Sequence, residues 1–154
     1  MMVVRDAPTS DDRLKRAADR LELFQVEAQY AHLFDTGQGG AWASLFTSDA
    51  VFLVDPIGDR PGVEMRGHEA LMQRCIEVNT REVGLHFPLS PRIGIDGLAA
   101  DGLIDFRFHG VELATGNIRE SEGFYEVRYR RSEERWLIAV RHEHPVRRET
   151  RRRP

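Results

Sequence analysis

The first third of the chain carries apolar residues at helical spacing. Between Ser10 and Gly37 no residue breaks a helix, and the apolar side chains recur at steps of three and four, which places them on one face. They are Leu14, Ala18, Leu21, Phe24, Ala28 and Ala31. Ser10 is suited to cap the start of a helix and Gly37 to end it. We therefore predict a helix from Arg13 to about Thr36.

Asp35 continues this apolar series. At about 100° per residue it lies within about 40° of Phe24, Ala28 and Ala31. A buried carboxylate is costly unless it has a partner. Two interpretations are open: Asp35 bonds a backbone N–H at the helix end, or it faces an internal cavity as an acid–base group.

The next forty or so residues alternate between short elements and turns. We predict a short helix at Ala41–Phe46, a strand at Ala50–Val54, a brief strand at Val63–Arg66 and a helix from Gly67 to about Thr80. The loop between the first two strands carries two prolines and two glycines.

The second half of the chain changes to period-two patterns rich in β-branched and aromatic residues. Four strands are predicted, at about 84–95, 99–113, 117–131 and 134–146, with short turns between them. Strands that follow one another without helices form an antiparallel meander, so the fold class is α+β. We expect one domain over residues 11–146, a flexible N-terminus at 1–10 and a disordered, arginine-rich tail at 147–154.

Composition and charge exclude several classes of protein. The 154 residues carry a formal net charge of −3, which argues against a nucleic-acid binder. No apolar run is long enough to cross a bilayer, and the N-terminus lacks the apolar run of a signal peptide. A single cysteine, Cys75, excludes an internal disulfide, and its helical spacing favours a core position. We expect a cytoplasmic protein that binds no membrane.

Several motifs together resemble one family. The first helix ends in Phe34-Asp35-Thr36-Gly37, and a Trp-x-x-Leu-Phe-x-x-Asp-Ala turn runs from Trp42 to Ala50. A glycine-led helix starts at Gly67, and Arg135-Trp136-Leu137-Ile138 begins the last strand. This order is similar to the SnoaL-like branch of the nuclear-transport-factor-2-like superfamily. The resemblance implies a cone: three N-terminal helices packed on a strongly curved, mostly antiparallel sheet of about six strands, around one cavity.

Within that superfamily the residues look nearest to scytalone dehydratase-like enzymes. Those enzymes pair an aspartate at the end of the first helix with a histidine that opens the third strand, and the resemblance places these roles on Asp35 and His86. It also implies substrate-binding positions at His109, Tyr125, Val54 and Phe34. Phe34 and Val54 stand where that family has two tyrosines that hold a catalytic water, so that dehydration route lacks its water ligands here.

The alternation of side chains along each strand leaves two orientations open for His86, His109 and Tyr125. His86 points opposite to the apolar Val83, Leu85 and Phe87, so it faces either solvent or a cavity on the polar side of the strand. His109 shares parity with Asp105 and Arg107, which favours solvent unless a bulge reverses the face. Tyr125 shares parity with Val127 and Tyr129, as either a substrate donor or a core residue.

Metal and cofactor sites receive little support from the sequence. His142 and His144 are two apart on one strand, on the same face as Ile138 and Val140, but no further ligand cluster accompanies them. Phosphate-binding loops, dinucleotide-binding glycine patterns and Cys-x-x-Cys pairs are absent from the sequence. We therefore expect neither a metal nor an organic cofactor.

The leading functional hypothesis is a small-molecule lyase, isomerase or cyclase with cofactor-free acid–base chemistry. Its substrate is a hydrophobic, oxygenated ring compound such as a polyketide or steroid-like molecule, with His86 as the base and Asp35 as its partner. The alternative is a non-catalytic ligand-binding or dimerisation module. A cavity of several hundred Å³ favours the enzyme, and one filled by Phe and Leu favours the module. The resemblance also implies a homodimer, and a lesser alternative is an oxygenase β subunit.

Overall fold

The computed structural model describes residues 9–133 and 135–152, and in that part the chain forms three helices and six strands. In chain order these elements are α1 (Ser10–Asp35), α2 (Gly39–Ala43), β1 (Phe46–Val54), β2 (Val63–Arg66), α3 (Gly67–Asn79), β3 (Glu82–Asp96), β4 (Ala99–Glu112), β5 (Ile118–Ser132) and β6 (Arg135–Arg151). The short helix ends earlier than predicted, because Phe46 already belongs to β1.

The six strands form one sheet in the order β2-β1-β6-β5-β4-β3. Strands β3 to β6 are the predicted antiparallel meander, and the pair β1/β6 is parallel. Register shifts interrupt the pairing of β3 with β4 and of β5 with β6, and such bulges bend strands. The α+β prediction, three helices on a curved and mostly antiparallel six-stranded sheet, is confirmed.

The core lies between the helices and the face of the sheet that they cover, which we call the inner face. Its fully buried members include Leu23 of α1, Trp42 of α2, Leu71 of α3, Ile104 of β4 and Ile138 of β6. The opposite, outer face is exposed in the described part of the chain. Each strand therefore presents alternate residues to two different environments.

The buried face of α1 differs from the predicted one. Leu14 and Leu21 are 70% and 68% exposed, while Leu23, Val26 and Tyr30 are buried. The helix also buries two acidic side chains, Asp19 and Glu27. These carboxylates have partners on the sheet: Trp136 Nε1 donates to Asp19 Oδ1 at 3.1 Å, and Arg141 Nη1 donates to both oxygens of Glu27 at 2.9 and 3.0 Å. These buried polar contacts set the orientation of the helix. The spacing of apolar residues along the sequence does not reveal them.

Both ends of the domain differ from the sequence-based boundaries. Thr9, not Ser10, caps α1: its hydroxyl accepts from the Asp12 N–H, and its own N–H donates to the Asp12 carboxylate. At the other end β6 continues to Arg151 and pairs with β5 as far as Ile118. Residues 147–151 are therefore part of the sheet and not a disordered tail. Residues 1–8 and 153–154 of the predicted termini lie outside the described residues.

No helix in the described ranges is long and apolar enough to span a bilayer.

Candidate active site

The structure brings Asp35 and His86 into direct contact. His86 Nδ1 lies 2.5 Å from Asp35 Oδ1, and the His86 backbone N–H donates to Asp35 Oδ2 at 2.7 Å. The Asp35 side chain is 4% exposed and that of His86 is 19% exposed. Because both carboxylate oxygens are engaged by one residue, the imidazole is fixed in position and its Nε2 is left to face the cavity.

Strand parity explains why His86 reaches the interior. Val83, Leu85 and Phe87 point to the outer face, where they are 49%, 58% and 47% exposed. His86 therefore points to the inner face, beneath the end of α1. For His86, the structure supports the cavity-facing interpretation. Asp35 is buried behind the His86 ring.

Aromatic rings surround the imidazole. The ring of Phe34 meets it edge-on at a centroid distance of 5.5 Å, and the ring of Phe108 lies at 4.6 Å. These contacts limit water around the pair, which strengthens electrostatic interactions at this position.

Two small cavities meet at His86. One, of about 90 Å³, extends toward Ser121 and Arg119, and the other, of about 60 Å³, extends toward Trp42 and Val54. Both are lined by Phe34, Arg74, His86 and Glu143. Each cavity is smaller than the several hundred Å³ that would favour an enzyme. The site is not simply filled by aromatic side chains, however, because charged groups line both cavities.

Glu143 and Arg74 are site residues that the sequence reasoning missed. Glu143 lies on β6 opposite Tyr125, and Arg74 lies on α3. Burial raises the pKa of the Glu143 carboxyl, although His86, Arg141 and Arg74 act in the opposite direction. The parity of β6 could have indicated Glu143, because it alternates with the two histidines of Arg141-His142-Glu143-His144. No signal in the sequence indicates Arg74.

A buried ion pair lies beneath the site. Arg141 is fully buried, and its guanidinium lies between the rings of Tyr30 and Tyr125, at 3.6 and 3.8 Å from their centroids. Burial disfavours its charge, but Glu27 and the neighbouring tyrosines outweigh this effect and raise the pKa of Arg141. Tyr129 also donates to Glu27, at 2.6 Å. The polar groups that support the site are thus fixed by one another.

Three of the four expected substrate-binding residues line the cavities, and one does not. Phe34, Val54 and Tyr125 lie on the walls. Tyr125 is 2% exposed, and burial raises its pKa well above the ordinary value. His109 lies on the outer face: its side chain is 59% exposed and its Nδ1 is 3.3 Å from Glu120. The expectation that His109 lines the pocket is wrong, because β4 has no bulge between Phe106 and His109 that would change its face.

Cys75 occupies the core position that its spacing indicated. It is fully buried, and burial together with the charge of Asp35 raises the pKa of its thiol to about 11. A thiol with that pKa stays protonated at neutral pH and is a poor nucleophile.

The comparisons with known proteins identify a family and a shared fold. The SnoaL-like domain family matches residues 15–142. No curated protein matches the chain by sequence. Among solved structures, a protein of unknown function from Mycobacterium tuberculosis is 24% identical with a TM-score of 0.78, over 92% of this chain and 79% of that one.

Two further solved structures are of proteins named for an enzymatic reaction. A hexachlorocyclohexane dehydrochlorinase from Novosphingobium barchaimii is 18% identical with a TM-score of 0.77, over 90% of this chain and 93% of that one. A candidate scytalone dehydratase from Novosphingobium aromaticivorans is 12% identical with a TM-score of 0.77, over 90% and 91%. These matches establish a shared fold. This chain belongs to the SnoaL-like family, because the model of that family matches most of its length, and its fold is of the nuclear-transport-factor-2-like kind.

Proposed function

We propose that the protein is a cofactor-free acid–base enzyme of the lyase, isomerase or cyclase type, acting on a small, hydrophobic, oxygenated ring compound. His86 is the general base, and Asp35 is the positioning residue that holds its imidazole. The contact of Asp35 with both His86 Nδ1 and the His86 N–H, at the wall of a cavity, carries this proposal.

The chemistry begins with a C–H bond beside a substrate carbonyl. His86 Nε2 takes the proton, the electron pair of the C–H bond becomes an enolate, and Asp35 stabilises the resulting imidazolium. The Arg74 guanidinium on the cavity wall is suited to stabilise the enolate oxygen. Return of the proton to another carbon gives isomerisation, loss of a β-hydroxyl gives dehydration, and attack of the enolate carbon on a second carbonyl gives cyclisation.

Glu143 is the proposed proton donor for a departing oxygen. Burial favours its neutral, protonated form, and it lines the same two cavities as His86. Elimination requires a base and a proton donor on the same cavity, which His86 and Glu143 would supply. Tyr125 lies deeper, packed against Arg141, and is assigned to the wall of the site.

The size of the cavities favours a second candidate, a non-catalytic binding or dimerisation module. Volumes of about 90 and 60 Å³ are below those of most ligand sites, which run from about 300 Å³ upward. In this alternative, Asp35 and His86 form a structural pair. The enzyme hypothesis requires rim side chains such as Phe34 to move when the substrate enters.

Solvent hydrogen exchange tests proton abstraction without knowledge of the natural substrate. The purified protein is incubated in D₂O with a panel of cyclic ketones, with 2-tetralone as the first probe, and deuterium incorporation beside the carbonyl is followed by NMR. We expect exchange above the buffer rate, and we expect H86Q to lower the enzymatic rate by about 100-fold or more.

H109Q is the matched control, because His109 also contacts a carboxylate but lies on the outer face. We expect it to retain the full exchange rate. Equal rates for H86Q and the unaltered protein would exclude His86 as the base. Probe binding, seen as NMR shifts of cavity residues, without any exchange would support the binding module instead.

We also propose that the protein is a homodimer and that it is cytoplasmic. Val83, Leu85, Phe87 and Leu89 form an exposed apolar row on the outer face of β3, suited to pack against a second copy. Light scattering after size-exclusion chromatography should give twice the chain mass, and L85K should halve it. The unpaired Cys75 is compatible with a reducing compartment.

A further inference from the structure

A second group of histidines lies on the outer face, on the side of the sheet opposite the Asp35–His86 pair. His142 Nε2 lies 2.7 Å from Asp55 Oδ1, and His144 Nδ1 lies 2.6 Å from Asp55 Oδ2. The candidate ligand atoms of these three residues all lie within 4.8 Å of one another. The sequence showed the two histidines but not their partner, because Asp55 is more than eighty positions away.

The backbone holds these three residues together. Val54 pairs with Glu143 at the end of the parallel β1/β6 ladder, and the Asp55 N–H donates to the Glu143 carbonyl at 2.9 Å. Alternation along β6 then places His142 and His144 beside Asp55. The expectation that Ile138 shares their face is wrong, because the register shift at Arg128/Tyr129 moves Ile138 to the inner face.

The side chains around His144 hold its imidazole as a metal-ligating histidine is usually held. The second ring nitrogen of His144 lies 3.2 Å from Glu126 Oε2, and Phe124 stacks on the same ring at 4.7 Å. A carboxylate on the outer nitrogen fixes the tautomer and raises the basicity of the ligating one. The rings of His142 and His144 lie 3.9 Å apart, both directed at one carboxylate.

The donor set and its accessibility select a class of cation. Two imidazole nitrogens and one carboxylate oxygen suit divalent first-row metals such as Zn²⁺, Co²⁺ or Ni²⁺, and disfavour Mg²⁺ and Ca²⁺, which take oxygen ligands. The side chains of His142, His144 and Asp55 are 29%, 21% and 44% exposed, so an ion can enter and water can complete its coordination.

We propose that Asp55, His142 and His144 form a binding site for a divalent transition-metal ion, with Glu126 orienting His144. A metal replaces the protons that now join the imidazoles to Asp55. With metal–ligand bonds of about 2.0–2.2 Å, the nitrogen–oxygen separations must widen by several tenths of an ångström, which side-chain rotation can supply. The site is independent of the proposed function, since it lies on the other side of the sheet.

The test is calorimetric titration of the untagged, full chain with ZnCl₂, followed by visible spectroscopy with CoCl₂. We expect one equivalent to bind, a Co²⁺ spectrum typical of nitrogen ligation, and a higher unfolding temperature with Zn²⁺ than with a chelator. H142Q, H144Q and D55N should each abolish stoichiometric binding, and E126Q should weaken it by about 10-fold.

H109Q and H86Q are matched histidine controls and should bind Zn²⁺ as the unaltered protein does. Absence of stoichiometric Zn²⁺ binding to the unaltered chain overturns the proposal, as does undiminished binding to H142Q and H144Q. If a variant fails to fold, the Co²⁺ spectrum of the unaltered protein decides, because a spectrum without nitrogen ligands also overturns it.

Discussion

The two faces of the sheet carry the same kinds of charged pair in opposite surroundings. On the inner face, Arg141 and Glu27 are 0% and 2% exposed, and Asp35 is almost fully buried against His86. On the outer face, Arg107 and Glu122 are 67% and 38% exposed at 3.3 Å. The N–O distance is 2.9 Å for Arg141–Glu27 and 3.3 Å for Arg107–Glu122, while the exposure of the two pairs differs far more.

This difference shows that the burial of a charged pair, more than its contact distance, decides how much the pair contributes to the stability of the fold. A buried pair whose partner is removed leaves an uncompensated charge away from water, whereas an exposed pair exchanges its partner for solvent. The inner pairs therefore fix the orientation of α1 and of the imidazole, while the outer pairs leave their side chains accessible to solutes, ions included. Four predictions follow the comparison in order of decreasing effect.

E27Q should have the largest effect on stability. It leaves the fully buried Arg141 charge without its carboxylate and weakens the Tyr129 hydrogen bond, so we expect a loss of about 3–5 kcal/mol in the free energy of unfolding. Urea unfolding measures it, with the outer-face variant E122Q as control. A loss below about 1 kcal/mol, as for surface pairs, would show that the inner face is not the low-dielectric region described.

D35N should cost about 1.5–3 kcal/mol, because it replaces a charged acceptor of two hydrogen bonds. It should also lower the tetralone exchange rate, since the amide no longer holds the imidazole in one tautomer. The matched control is D55N, whose carboxylate also contacts histidine but is 44% exposed. Measured in a chelator, D55N should cost less than about 1 kcal/mol. Equal losses would remove the distinction between the faces.

The charge of Glu143 should make stability fall as pH rises. Burial raises its pKa in the folded protein above the ordinary 4.5, so over that interval the folded state binds the proton that the unfolded state has released. The stabilisation is complete below the unfolded pKa and is lost as pH rises through the folded pKa, with a slope of at most about 1.4 kcal/mol per pH unit. Urea unfolding between pH 4 and 8 should show this component in the unaltered protein and not in E143Q. A slope of the opposite sign in that comparison would contradict the assignment.

E122Q should have the smallest effect. Its partner Arg107 is 67% exposed, so the free energy of unfolding should change by less than about 0.5 kcal/mol and the change should disappear at high salt. Urea unfolding at low and high ionic strength checks this. A salt-independent loss comparable to that of E27Q would require the outer face to be covered in solution.

Much of the fold could be predicted from local pattern. The period-two strands and the glycine at the end of α1 were read correctly, because each depends on neighbours in sequence. The buried face of α1 was predicted wrongly. Leu14 and Leu21 look like core residues, but the helix turns Asp19 and Glu27 inward to meet Arg131 and Arg141, each more than a hundred residues away. Such partners leave no periodic signal.

The residues of the candidate sites also fall into those that the sequence indicated and those that it did not. Asp35 and His86 were predicted to meet because one continues an apolar series and the other occupies the matching position of a related family, and the structure places them in contact. Arg74 and Asp55 were missed because their positions depend on how α3 packs and on how β1 pairs with β6. His109 was expected in the pocket from the family resemblance, although its strand parity favoured solvent. The position of a residue could be predicted where it follows from that residue's own strand or helix. It was missed where contact with a distant part of the chain decides it.

The extension of β6 to Arg151 makes the end of this strand part of the candidate site. Arg148 pairs with Ser121 of β5 and contributes to the wall of the larger cavity beside His86. A shortened protein ending at Pro145, near the C-terminal limit suggested by composition, would deprive β5 of its neighbour from Ile118 to Glu122 and open that cavity to water. The arginine-rich end of β6 thus helps to close the cavity beside the His86 imidazole.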